Sequence, residues 1–230
     1  RTITYNGTLW LAGGEGINPM AYSHDGQMWY PVTTTFTNVN NIKWNGTLFM
    51  TAGSGPHALA YSHDGFSWTY VVSPLTIGRC VDYNKMWIAS GEGLNDSMVY
   101  SQDGKNWNGL GKTIFSSSNV VSSNGFMWVA GGEGINTLAY SHDGISWTGL
   151  GKTLFSNFGY GSSWNGKMWI TSGSGTLNSL AYSVDGINWI GLGILDEIYF
   201  SIGCQTNEKI TTDSLSFSND LYQNGYNNLL

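Results

Sequence analysis

A nine-residue phrase, clearest from Ala139 to Trp147 (Ala-Tyr-Ser-His-Asp-Gly-Ile-Ser-Trp), also occurs at Ala21–Trp29, Ala60–Trp68, Val99–Trp107 and Ala181–Trp189. Its closing tryptophans, Trp29, Trp68, Trp107, Trp147 and Trp189, are 39, 39, 40 and 42 residues apart. A worn sixth copy runs from Ser216 to Asp220. A period of this length defines a repeat architecture, in which each unit covers its neighbour's apolar face because none can bury its own.

The fourth unit shows the grammar. Asn124-Gly125 is a hairpin turn, a strong short-range signal. Phe126–Ala130 reads as a second strand, broken by Gly131-Gly132-Glu133-Gly134, and Leu138–Ser141 as a third, turned by Asp143-Gly144 into a fourth. Four antiparallel strands in about 40 residues is the size of a propeller blade. The expectation is one all-β domain over 1–230, a six-bladed β-propeller of four-stranded antiparallel blades. Its blades fall at approximately 1–38, 39–77, 78–117, 118–158, 159–200 and 201–230. Trp10, Phe49, Trp87, Trp128, Trp169 and Ile210 share one position and read as wedges between sheets, each aromatic burying roughly 150–250 Å². The sixth unit is degenerate, without glycine loop or closing tryptophan. A ring closed by it has a weak seam between blades six and one, unless the chain is a fragment of something longer.

Composition narrows the function classes. Charged residues make up 10% of the chain, the net charge is -6 and the only arginines are Arg1 and Arg79, which excludes a basic nucleic-acid footprint. No apolar run approaches the roughly 20 residues that span a bilayer, so membrane insertion is not expected. The chain opens on Arg1 rather than Met, consistent with an address removed by processing or truncation, so compartment stays open; nothing in the sequence sets the oligomeric state. Cys80 and Cys204 occupy equivalent strands of units three and six, facing each other across a ring of six. A disulfide needs Cα atoms within about 7 Å, so two free thiols are expected.

The pattern Ser-x-Asp-Gly-x-x-Trp resembles the Asp-box, or bacterial neuraminidase repeat, with one residue fewer than the usual Ser-x-Asp-x-Gly-x-x-Trp. The order Gly13, Gly14, Tyr22, Trp29 is similar to kelch repeats, and the glycine loop with Ala-Tyr-Ser is similar to repeat proteins of large DNA viruses and of bacterial surface proteins. These resemblances imply propellers. They also imply that Asp25, Asp64, Asp103, Asp143 and Asp185 are structural. The physics agrees, since an Asp side chain accepts backbone N–H bonds while the following Gly takes a positive φ. His24, His63 and His142 lie on different blades and are expected as exposed turn residues, not metal ligands.

The Asp-box resemblance raises a sialidase, whose family holds its substrate carboxylate with three arginines. Two arginines, one of them terminal, do not supply that cluster, and lysine is a poor substitute. A different glycosidase needs two carboxyls roughly 5–9.5 Å apart. The remaining acids, Glu15, Asp82, Glu92, Asp96, Glu133, Asp196, Glu197, Glu208 and Asp213, offer no pair that the repeat places together. The reading is therefore non-enzymatic, with no catalytic residue, cofactor or metal.

In a four-stranded meander the second-to-third loops and the blade-to-blade connections share one face. That face carries a ring of Glu15 and Asn18, Ser54 and His57, Glu92 and Asn95, Glu133 and Asn136, and Ser174 and Asn178. Glycine permits close approach, and Asn and Glu supply the partners that hydroxyls need. Repetition makes weak sites multivalent. The expectation is glycan recognition on this face. The alternative is a structural or assembly protein, on a virus particle or cell surface, using the disc to dock a protein partner.

Overall fold

The computed structural model describes residues 1–194, which form twenty strands in five four-stranded antiparallel sheets. Sheet one holds β1–β4 (Thr2–Tyr5, Trp10–Gly13, Met20–Ser23, Tyr30–Pro31) and sheet two β5–β8 (Asn38–Trp44, Phe49–Ser54, Leu59–Ser62, Thr69–Tyr70). Sheet three holds β9–β12 (Leu75–Asn84, Met86–Gly93, Met98–Ser101, Asn108–Gly109) and sheet four β13–β16 (Ser117–Ser123, Trp128–Glu133, Leu138–Ser141, Thr148–Gly149). Sheet five holds β17–β20 (Phe158–Trp164, Trp169–Ser174, Leu180–Ser183, Ile190–Gly191). Each is a simple meander in sequence order. The sixth unit, with Ile210, lies outside the described residues.

The first hairpin closes by local chemistry. Asn124 Oδ1 accepts the N–H groups of Phe126 and Met127 at 3.0 and 2.9 Å, and Gly125 takes φ +91°. Asn6, Asn45 and Asn165 do the same. Sheet three shortens this turn, pairing Asn84 directly with Met86 and forcing Lys85 to φ +60°.

The core lies between consecutive sheets. The forward face of sheet one, with Leu9, Leu11, Met20 and Val32, packs on Ile42, Phe49 and Ala60 of sheet two. The same interface recurs between sheets two and three, three and four, and four and five. Phe49, Trp87, Trp128 and Trp169 are fully buried wedges, each contributing about 2–3 kcal/mol by burial. Trp10, at the same position of sheet one, is only half-buried and stacks on Tyr5 with ring centroids 4.4 Å apart.

The first strands form the inner row. In sheets two to five each carries a residue out of register with its partner, Asn40, Arg79, Asn119 and Tyr160, and in sheet three Thr76 is a second. Such a bulge re-aims a side chain that regular pairing would hold against a neighbouring sheet.

The expectation of two free thiols fails at Cys80, which is disulfide-bonded. Its buried sulfur lies 3.2 Å from the Val121 carbonyl oxygen of sheet four. The expectation rested on opposite positions in a closed ring of six, a premise that the five described sheets do not supply. Cys204 lies outside the described residues.

Candidate functional site

The two faces of the sheet array differ in chemistry. On one, the Asp turns repeat the same bonds five times. Asp143 Oδ1 accepts from the N–H groups of Ile145 and Ser146 at 2.8 and 2.7 Å, Ser141 Oγ donates to the same oxygen at 3.0 Å, and Trp147 Nε1 donates to the Gly144 carbonyl. Asp25, Asp64, Asp103 and Asp185 stand in equivalent networks. The backbone donors from Ser67 and Ser146 lead in holding Asp64 and Asp143 down to about 2. Asp25, Asp103 and Asp185 are lowered by the same kind of turn bonds. These carboxylates are committed to their turns. His24, His63 and His142 are exposed there, each edge-on to a tyrosine ring. Among the described residues no group of His, Cys, Asp and Glu is placed to hold a metal ion.

On the other face five loops join second to third strands. Each is closed by one backbone bond: Gly14 N–H to Pro19 O, Gly53 to Ala58, Gly91 to Ser97, Gly132 to Thr137 and Gly173 to Ser179, at 2.8–3.1 Å. Asn136 is buried with both ends of its amide engaged, Nδ2 donating to Ile114 O and Oδ1 accepting from Gly151 N, each at 2.9 Å. Asn178 repeats this with Leu154 O and Gly193 N. These two amides tie the loop to the blade-to-blade connection. In sheet three the corresponding residue is Asp96, whose Oδ1 accepts Gly111 N–H at 2.7 Å, while Asn95 is exposed beside it. Asn18 is exposed, and His57 is exposed and stacks on Tyr70 with centroids 4.8 Å apart.

The acidic positions of the loops meet the bulged row. Glu15 pairs with Arg1, which also donates to Asn40 Oδ1 at 2.6 Å. Glu92 pairs with Arg79. Ser54 accepts from Asn38 Nδ2 at 2.9 Å, and Ser174 donates to the Tyr160 hydroxyl at 3.4 Å. In sheet four the out-of-register residue is Asn119 rather than an arginine, and its Nδ2 donates to the Gly159 carbonyl of sheet five at 2.9 Å. Both arginines of the chain therefore lie on this rim, each neutralising one glutamate, and Glu133 is left as a half-exposed carboxylate.

The loop tips are apolar. Ile17, Leu94, Ile135 and Leu177 stand at the tips of loops of two lengths, with exposure from 60% at Leu177 to 99% at Ile17, and an exposed Pro56 is at the tip in sheet two. Sequence reasoning passed over these tips and over the bulged row. A hydrophobic residue just ahead of the loop Asn or His in every unit was the available signal. The bulges had none. A cavity of about 580 Å³ opens between sheets two and three at the outer edge, lined by Tyr61, Tyr70, Lys105 and Trp107, with the Lys105 ammonium 5.4 Å from the Tyr61 ring centre.

No protein-family model matches the chain, and no curated protein matches it. Solved structures do. The chain is similar to one in the crystal structure of a nidogen/laminin complex, with 10% identity and a TM-score of 0.63 over 82% of this chain and 77% of that one. It is similar to YCF48 from Cyanidioschyzon merolae, with 14% identity and a TM-score of 0.59 over 83% and 70%. With five four-stranded antiparallel sheets, these likenesses define the class: a β-propeller repeat protein.

Proposed function

We propose that the chain is a non-enzymatic recognition module that docks a protein partner on its glycine-loop face. The carrying observation is that all five loops present an exposed apolar side chain at the tip, while Asn136 and Asn178 are spent inside the fold. An apolar side chain repeated on every loop of one face, among polar neighbours, gives a protein partner several points of contact at once. A neighbour solved in a nidogen/laminin complex supports the reading, since it places a fold of this kind in a protein assembly. In the same reading the repeated turns are Asp-box turns and the complete ring has six blades.

A second reading, glycan binding, draws on Glu133, Asn18 and Asn95, which keep polar groups turned to solvent. The test compares the wild type with two variants. One carries Ile17→Asp, Leu94→Asp and Ile135→Asp, the other Asn18→Ala, Asn95→Ala and Glu133→Ala. Each is applied to a glycan array and to quantitative affinity capture from the source cells. A protein held by the wild type and lost only by the apolar-tip variant, with a blank array, supports docking. A sugar bound by the wild type and lost only by the polar variant overturns it in favour of the glycan reading.

A further inference from the structure

One position sets the junction of sheets two and three apart from the others. It is the residue after the Asp-Gly turn: Phe66, Lys105, Ile145 and Ile187 in sheets two to five. Phe66 stands edge-on to Tyr22 of sheet one, with ring centroids 4.7 Å apart, and Ile187 packs on the same core cluster as Tyr140 of sheet four. At Lys105 an ammonium takes the place of the ring or branched side chain, 5.4 Å from the centre of the Tyr61 ring. A long stem that must keep its head in water fills the space between sheets less completely than a side chain that packs dry. The cavity of about 580 Å³ opens here.

Its apolar lining is Tyr61, Val71 and Trp107, which belong to the core between these two sheets, and Val72, which is 93% exposed. Its polar lining includes Asn108, exposed in β12, whose side-chain amide makes no hydrogen bond among the described residues. Lys105 is the one charge on the cavity wall, and among the described residues it has no ion pair. The acid of its own turn, Asp103, already accepts from Ser101, Lys105 N–H and Asn106.

We propose that this cleft binds a short peptide segment of a partner, with a carboxylate side chain on Lys105 and an adjoining apolar side chain against Tyr61, Val71 and Trp107. Charge complementarity sets the first half, since an uncommitted cation in a chain of net charge -6 selects an anion. The second half follows from the lining. One free amide among apolar walls suits an apolar side chain, whereas the hydroxyls of a sugar would be left without partners. Asn108 offers the donor and the acceptor that an extended main chain needs. The volume lies within the range of preformed ligand sites. The cleft is at the outer edge and does not depend on what the glycine-loop face docks.

The test is selection of random heptapeptides displayed on phage against the full chain, with counter-selection on Lys105→Ile. Sheets four and five carry isoleucine at this place, so the variant is expected to keep the wild-type circular dichroism spectrum. Surviving clones are expected to carry Asp or Glu beside a bulky apolar residue. The free peptides should bind Lys105→Gln about tenfold more weakly than the wild type, and more weakly as salt rises. Lys167→Gln, at an exposed lysine outside the cleft, should bind as the wild type does. Changing the peptide's acid to its amide should weaken binding to the wild type and leave Lys105→Gln unaffected. No surviving clone, survivors without an acid, or an amide change felt equally by both proteins overturns the inference. So does glucuronic acid bound by the wild type and not by Lys105→Ile where no peptide is bound, which gives the cleft to acidic sugars.

Discussion

Lys43 of sheet two and Asp82 of sheet three meet at 2.6 Å with almost no solvent around either side chain. The other carboxylate oxygen of Asp82 accepts the backbone N–H of Ser123, in sheet four, at 2.8 Å. One carboxylate thus joins three successive sheets along the inner row. Asp82→Ala removes both ties and deprives a buried ammonium of its carboxylate, at an expected cost of about 3–5 kcal/mol. The double change Lys43→Met, Asp82→Leu is expected to cost much less, because it removes both charges together. Urea denaturation midpoints of the three proteins check this.

Acid should loosen the repeat at its turns. In the folded state the turn bonds hold the carboxyls of Asp64 and Asp143 down to about 2, well below the ordinary aspartate range. A depressed carboxyl contributes stability that is complete above its unfolded value and is lost as pH falls through the folded one. Stability is therefore expected to hold above pH about 4 and to fall between about 4 and 2. Thermal melts across that range check the slope, which Asp64→Asn with Asp143→Asn should flatten.

Glycine substitutions separate local strain from packing between sheets. Gly26, Gly125 and Gly144 all take positive φ, and at each a Cβ costs roughly 1–2 kcal/mol in conformation alone. At Gly144 the added methyl also meets Ile88 and Trp128, whereas at Gly125 nothing lies within 4 Å. Gly144→Ala is expected to be the most damaging, by about 1–3 kcal/mol over Gly125→Ala. Gly26→Ala should resemble Gly125→Ala, since the added methyl meets only Trp10, at 3.8 Å. Chemical denaturation ranks the three.

Lys85 holds a left-handed conformation with φ +60°, in the shortened hairpin of sheet three. Lys85→Gly removes that strain at the expense of a more flexible unfolded chain. The net gain is expected at roughly 0.5 kcal/mol, seen as a higher Tm.

Features settled within a few residues could be read directly from the chain. The Asn-Gly hairpins and the Asp turns depend on side chains bonding their own backbone neighbours, so Asn124 and Asp143 announce their geometry in any context. The wedges were legible because Trp87, Trp128 and Trp169 recur in phase. Register was not legible. The bulges at Asn40, Arg79, Asn119 and Tyr160 exist only relative to a partner strand, and the one-residue difference in loop length that makes Asp96, not Asn95, the counterpart of Asn136 appears only once Gly91 is seen bonded to Ser97. Nothing in the residue type of Asn136 tells whether its amide faces solvent or the chain, and its bonds to Ile114 and Gly151 are visible only in the structure. The bond at Cys80 was missed because distance across an assumed ring stood in for geometry.

The glycine loops are pinned at their necks by a main-chain bond from Gly14 to Pro19 and its four counterparts, so the side chain at each summit has no part in holding its own loop. Ile17, Pro56, Leu94, Ile135 and Leu177 behave as five letters written on a frame that does not read them. Mutation can respell that word one character at a time without disturbing the page, so related chains could change what they recognise while their sheets stay the same.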